Sequence, residues 1–198
     1  MLNFQDLPGE LALKILGYAE TKDLIAYGQV SKRIRKISRD STLWVTANLL
    51  KKIVKTELLE MILSKGCKVL NISHSIIVGR FSSNIKSQLR TLDLSQSART
   101  AKTLLGQKYG KETIDNLEKL LFSCCSLQHL NLEGLLLTPK MAVSICKHGK
   151  SLQVLTLNHV YAYLDYDSLG YTVLKNDNLE AIIKCCQELK DLDFVNGN

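Results

Sequence analysis

Histidine and cysteine are the side chains of this 198-residue chain that could most readily bind a metal or act as nucleophiles. The four histidines are scattered and lack the HExxH spacing of a zinc protease; they are His74, His129, His148 and His159. The six cysteines include two adjacent pairs, Cys124-Cys125 and Cys185-Cys186, whereas chelating cysteines usually lie two to four residues apart. We therefore expect no metal site and interpret the thiols as small core residues.

The other common catalytic patterns are also missing from the sequence. The eleven glycines are dispersed and form no phosphate-binding loop, and no nucleophile elbow or pair of catalytic carboxylates is found. We expect no cofactor and no catalytic residue. The chain is therefore predicted to act by binding and not as an enzyme.

Composition favours a folded protein of the cytoplasm or nucleus. The hydrophobic fraction is 45% and the charged fraction 23%, as in ordinary globular domains. No stretch has the length and apolarity of a membrane span, and the N-terminus lacks the order of a signal peptide, so we expect no membrane association. The cysteine spacing does not suggest a secreted disulfide framework.

The chain carries a formal net charge of +7, and its one dense basic cluster lies between Lys32 and Arg39. No aromatic residue interleaves with the cluster, so the stacking platform of a single-strand binder is missing. A solvated helix face is the expected explanation, and a nucleic-acid-binding head is the alternative. We predict no specific nucleic-acid partner.

Short amphipathic helices are predicted before about residue 60. Asp6, Pro8 and Glu10 suit the start of a first helix, Thr21-Lys22-Asp23 precedes a second over about 24–28, and Ser31 can cap a third. Helices this short are marginal alone, and a domain of about 40 residues usually needs help from a partner. The pattern therefore predicts a helical docking module.

Beyond residue 60, a Leu-x-x-Leu-x-Leu pattern repeats. Its leading residues are Cys67, Leu89, Leu127, Leu152 and Leu189. Each strand is predicted to follow a helical segment, and the segments identified lie at 58–63, 115–121, 141–146 and 177–183. Alternate residues of a strand face opposite sides, so the leucines would line an interior and the intervening residues a concave face. A repeat cannot bury its apolar face alone, so neighbouring repeats must stack.

The ordered set Leu7-Pro8-x-Glu10-Leu11, Asp23-Leu24, Val30-Ser31-Lys32-Arg33 and Leu43-Trp44 resembles the F-box pattern. The later repeats resemble the cysteine-containing leucine-rich repeat, so the chain is similar to the F-box/leucine-rich-repeat family. Ala19 and Ile34 depart from the F-box pattern but remain apolar. The resemblance implies a fold of α + α/β class, with an F-box helical module at 1–48, a linker helix at 49–66 and about five repeats forming a solenoid over 67–198. Insertions are predicted near 97–113 and 158–176.

The resemblance also implies partners. They are a Skp-type adaptor, the cullin and RING subunits bound through it, and a protein substrate, phosphorylated or unmodified, that is presented for ubiquitination. The implied adaptor contacts are Leu7, Pro8, Leu11, Ile15, Leu16, Leu24, Val30, Leu43 and Trp44. The alternative for each of them is packing in the protein's own core. Trp44 is the preferred anchor, because tryptophan contributes strongly when it fills an interface pocket.

The concave face and the second insertion supply the candidates for target binding. They are Thr91, Asp93, His129, Asn131, Glu133, Thr156, Asn158, Tyr161 and Tyr163. The insertion is rich in tyrosine, which suits a binding loop, although its rings could instead pack against the solenoid edge. The sequence stops just after the fifth predicted strand without a polar cap, which favours a fragment of a longer repeat protein over an end covered by a partner. A leucine-rich-repeat scaffold without a role in ubiquitin transfer is the alternative function.

Overall fold

The computed structural model describes residues 4–82, 86–97, 107–163, 171–173 and 176–195. Its helices are α1 (Gly9–Leu16), α2 (Thr21–Val30), α3 (Lys32–Ser38), α4 (Thr56–Ser64), α5 (Gln107–Ser123), α6 (Pro139–His148) and α7 (Asn176–Cys185). Short 3-10 turns span Phe4–Asp6, Ser41–Trp44 and Gly149–Ser151. The first three helices form an N-terminal group, called the head below, and the others alternate with strands.

The main sheet has six strands in the order β1-β3-β5-β6-β8-β11, and all neighbours are parallel. These strands are β1 (Thr46–Asn48), β3 (Val69–Asn71), β5 (Thr91–Asp93), β6 (His129–Asn131), β8 (Val154–Thr156) and β11 (Asp191–Asp193). A second sheet pairs β2 (Ile53–Lys55) with β4 (Ile76–Val78). A third joins β7 (Leu136–Leu137), β9 (Tyr161–Tyr163) and β10 (Tyr171–Val173), the last two antiparallel. The described chain is thus a mixed helix and parallel-sheet fold.

One row of the main sheet explains the repeated leucine pattern. The register pairs Ala47, Leu70, Leu92, Leu130, Leu155 and Leu192 across the six strands. The first five of these side chains are buried and Leu192 is half-buried. Helices predicted at 58–63, 115–121, 141–146 and 177–183 are confirmed within α4, α5, α6 and α7. The spacing therefore predicted both the strands and the helices that cover them.

The main sheet begins one strand earlier than the leucine pattern indicated. A unit is used below for one strand of the main sheet with the turn that follows it. Residues 49–66 were predicted as a linker helix, whereas the structure has β2 followed by α4. β1 precedes them and pairs with β3, so Trp44, Ala47 and Leu49 take the places that Cys67, Leu70 and Ile72 take one unit later. Trp and Ala replace two leucines there, and this is why the leucine pattern did not indicate the first unit.

A common turn follows the first five strands of the main sheet. Three residues after each strand ends, the backbone has a φ between 53° and 62°; these residues are Lys51, His74, Gln96, Gly134 and His159. Asn48, Asn71, Asp93 and Asn131 precede four of these turns, and each accepts a hydrogen bond from the backbone N–H two residues on. Asparagine and aspartate suit this local bond. The turn keeps neighbouring units in register, because each left-handed residue also donates its N–H to the next unit.

The predicted insertions lie partly outside the described residues. The segment 107–113 forms the start of α5, and 98–106 is not described. The second insertion includes β9 and β10, while 164–170 and 174–175 are not described. Among the described residues, no helix is long and apolar enough to cross a membrane.

Candidate docking surface

Helix α1 carries two adjacent apolar stripes, about 100° apart around its axis. Ala12 and Leu16 are buried against the rest of the head, while Leu11 and Ile15, four residues apart, have exposed fractions of 50% and 49%. A surface helix of a protein without a partner normally buries one apolar stripe and turns polar residues to water. The outward stripe of α1 is therefore a candidate contact surface for another protein.

The head exposes further apolar side chains near the ends of its helices. Val30, at the end of α2, has an exposed fraction of 62%, and Tyr18, just after α1, has one of 86%. Tyr27 is exposed as well. Scattered exposed apolar residues are common on any protein, but five of them within a head of about 40 residues mark this region for binding.

The nine predicted adaptor contacts fall into two groups. Leu11, Ile15, Val30 and Pro8 are exposed, and Leu7 and Leu43 are half-buried, so all six are accessible to a partner. Leu16, Leu24 and Trp44 are buried in the protein's own core. In this structure the buried three support the exposed residues from beneath. Their direct contact with an adaptor stays a prediction.

Local hydrogen bonds cap α3 and connect it to α2. Ser31 caps α3, as predicted, by accepting a bond from the Ile34 N–H at 3.2 Å. Helix α1 begins at Gly9 with Pro8 in the N-cap position, and no side chain caps it, so Asp6 does not supply the cap that its residue type would suit. Arg35 Nε donates to the Gly28 carbonyl at 2.8 Å and so connects α3 to α2. A Cβ on Gly28 would approach Ser38 Oγ to 3.1 Å, which shows how closely these two helices pack.

Trp44 joins the head to the sheet. Its indole is buried, and Nε1 donates a hydrogen bond of 2.7 Å to the Ser38 carbonyl at the end of α3. The Thr21 hydroxyl at the start of α2 accepts a bond of 2.9 Å from Asn48 N–H in β1. Leu16, Leu24 and Trp44 belong to the same buried cluster as the leucines of the sheet. The head is therefore mounted on the sheet by a shared core.

The second candidate surface is the polar side of the main sheet. The register places Thr91, His129 and Val154 in one row, and Asp93, Asn131, Thr156 and Asp193 in the next. The structure thus brings together the predicted target-binding residues Thr91, Asp93, His129, Asn131 and Thr156. Glu133 and Asn158 follow their strands by two residues and lie half-buried beside them.

Several of these polar groups also stabilise the fold. Asp93 and Asn131 each use Oδ1 on the turn that follows their strand. Asn158 donates to Asp193 Oδ2 and accepts from Val195 N–H, both at 2.6 Å, so its amide fixes the last strand. Tyr161 and Tyr163 lie in β9, but their side chains fall outside the description. Target binding by these nine residues stays a prediction.

Three of the six thiols, those of Cys67, Cys124 and Cys186, are buried as core groups, whereas Cys125 is exposed and Cys146 and Cys185 are half-buried. Burial raises the pKa of Cys67 and of Cys124 to about 11, and both side chains are inaccessible. Within the described ranges, no three His, Cys, Asp or Glu side chains are grouped to hold a metal ion. A raised pKa keeps the thiols of Cys67 and Cys124 in the less reactive protonated form near neutral pH.

The geometry defines a small helical docking module fixed to a parallel sheet. In a comparison with known protein families, residues 4–49 match the family described as F-box-like. The chain therefore carries an F-box-like domain, which supports its placement among F-box proteins. F-box domains generally bind Skp-type adaptors, and proteins that carry them are generally non-catalytic adaptors of ubiquitin ligases.

Proposed function

We propose that this protein is the substrate-recognition subunit of a Skp–cullin–F-box E3 ubiquitin ligase. The F-box-like domain docks a Skp-type adaptor and, through it, the cullin and RING subunits. The observation that carries the proposal is the outward apolar stripe of α1, Leu11 and Ile15, inside the matched region. A stripe of this kind is stabilised when a partner removes it from water.

The sheet region is proposed to be a leucine-rich-repeat solenoid that binds the protein target, phosphorylated or unmodified. The in-register leucine row and the turn shared by five units support this assignment. Segments 89–95 and 127–135 resemble repeats of the S-phase kinase-associated F-box protein, although the resemblance fades after about residue 160. The target of that protein is therefore not transferred to this chain.

The proposed mechanism is proximity. The adaptor holds the head while the polar rows of the sheet hold a target, so ubiquitin transfer to the target becomes effectively intramolecular. The shared core around Trp44 supports this role, because a rigid connection keeps the target at a fixed distance from the ligase. Partner enzymes supply the chemistry. We expect the complex in the cytoplasm, the nucleus or both, since free cysteines suit a reducing compartment.

The alternative is a leucine-rich-repeat scaffold that uses its head outside ubiquitin transfer. Both functions use the polar sheet face, and they differ in what the head binds. Co-purification of a Skp-type adaptor together with a cullin separates them, because a scaffold of the alternative kind would retain its other partners and capture neither.

The proposal is tested by adaptor capture with Ile15→Glu combined with Val30→Glu. Both side chains are exposed, so the variant should fold. An unpaired carboxylate in an apolar interface costs several kcal/mol, so we expect capture to fall by at least about 100-fold.

The matched control is Ile53→Glu combined with Val143→Glu, which alters two apolar residues outside the head with exposed fractions of 63% and 65%. The control should capture the adaptor like the unaltered protein. Undiminished capture by the head variant, or equal loss in the control, would contradict docking through the α1 stripe.

A further inference from the structure

A basic cleft lies between the end of α3 and the end of α4. Its volume is about 540 Å³. Five cationic side chains line it together with one carboxylate, Asp40; the cations are Lys32, Arg35, Lys36, Arg39 and Lys65. The head and the first helix of the sheet region each contribute to its wall, so the cleft exists only in the assembled fold.

The helical period explains why the cations share one side. Lys32, Lys36 and Arg39 are separated by four and three residues, which places them in one stripe along α3 and its C-cap. Ile34 is buried and Ile37 half-buried on the opposite side, so the core fixes the orientation of the stripe. Lys65 is brought to the cleft because α4 ends there.

The positive charge of the cleft is not neutralised by the described part of the chain. The ion pairs among the described residues are Lys22–Glu20, Lys140–Glu118 and Lys184–Glu180. None of them involves a cation of the cleft. Asp40 accepts bonds from the Thr42 N–H and hydroxyl, and these bonds lower its pKa and keep it charged. One anion thus faces five cations. A concave wall lined by one sign of charge focuses its field on a ligand of the opposite sign.

We propose that this cleft binds a short acidic segment of a partner protein, with carboxylate or phosphoryl groups facing Lys32, Lys36 and Arg39. The stripe from Lys32 to Arg39 is about 10 Å long at 1.5 Å per helical residue. An extended peptide covers this length with about three residues. Arg35 has its Nε committed to Gly28, which holds its guanidinium in place for a bidentate contact with an oxyanion.

A nucleic acid and a membrane fit the cleft less well. No aromatic side chain lines it, so bases would find no stacking platform. A specific duplex binder typically contacts about 6–10 phosphates, more than a stripe of this length can reach. The cations line a shallow, open depression, and the apolar residues of α3 face the core, so a bilayer would gain charge contacts but no inserted side chain.

The experiment measures binding of a fluorescein-labelled oligoglutamate peptide to the full chain by fluorescence anisotropy. A phosphoserine peptide of the same length is run in parallel and distinguishes phosphoryl from carboxylate recognition. The test variant carries Lys32→Gln, Lys36→Gln and Arg39→Gln. These side chains make no hydrogen bond to another described residue, and glutamine suits a helix, so the fold should be kept. Loss of three charge contacts should weaken peptide binding about tenfold.

The control variant carries Lys52→Gln, Lys150→Gln and Lys190→Gln, which removes the same charge from exposed positions outside the cleft. It should bind the peptide within about twofold of the unaltered protein, since distant exposed charges are screened by salt. Equal weakening in both variants would overturn the proposal, because net charge alone would then explain binding. Tighter binding of a single-stranded oligonucleotide of equal charge, or of phosphatidylserine vesicles, with loss in the cleft variant would overturn it in favour of those ligands. Neither outcome depends on adaptor capture.

Discussion

At the scale of single residues, burial decides which side chains can act. Cys124 and Cys125 are adjacent in sequence, yet the first is buried at the end of α5 and the second is exposed. The same contrast separates Leu16 from Ile15 and Trp44 from Val45. Spacing and residue type identify such neighbours as apolar, but solvent access determines their chemistry and their availability to a partner.

The thiols give a prediction at this scale. At pH 8 a thiol whose pKa is about 11 is only about one part in a thousand thiolate, and the thiolate is the reactive form. We expect Cys67 and Cys124 to resist Ellman's reagent in the folded protein, while Cys125 reacts first. Replacing Cys125 with serine should remove the fastest phase of the absorbance change. A fast phase that survives this substitution would show that another thiol is the accessible one, and unfolding in urea should expose all six.

At the scale of elements, the repeating turn is the feature that holds the units in register. Five residues in the left-handed region follow five strands, and only one of them, Gly134, is a glycine. Left-handed φ costs other L-residues about 1–2 kcal/mol. In the four units without glycine, the left-handed residue donates its backbone N–H to a carbonyl of the next unit, and this hydrogen bond offsets the cost.

Gly134→Ala tests this interpretation. The backbone φ of +62° at this position is unfavourable for alanine. The new Cβ would also collide with the side-chain amide of Gln96 in the neighbouring unit. We expect the free energy of unfolding to fall by about 2–3 kcal/mol, measured by urea denaturation. In a Gln96→Ala background the collision is gone, so the same substitution should cost only about 1–2 kcal/mol. Equal costs in both backgrounds would show that the amide of Gln96 moves aside freely.

At the scale of the whole molecule, the head and the sheet share one core. Leu16 and Leu24 of the head pack in the same cluster as Leu70 and Leu92 of the sheet, and Trp44 belongs to that cluster. A head of three short helices would be marginal alone, and the shared core supplies the additional burial that it needs. The two parts should therefore unfold together.

Trp44→Phe tests this coupling. The ring stays apolar, but the Ser38 carbonyl loses its donor, and a buried group left without its bond costs about 1–3 kcal/mol. We expect the free energy of unfolding to fall by that amount while helix and sheet still unfold in one transition, measured by circular dichroism in urea. Tyr18→Phe, at a position exposed by 86%, should change little. Two separate transitions in the unaltered protein would contradict a shared core.

The sequence by itself determined the periodic parts of this protein. The leucine spacing predicted parallel strands and covering helices, and the residues around Leu7 and Trp44 predicted an F-box-like head, because local periodicity records which side of an element is buried. The tertiary structure alone decided the rest. It showed that the sheet starts at β1, that Trp44 belongs to the shared core, and that Leu11 and Ile15 remain exposed on α1. The tertiary structure also places Lys65 beside the cations of α3 in the basic cleft. These facts depend on contacts between residues distant in sequence, and apolar periodicity alone does not indicate which of two apolar sides of a helix a partner will cover.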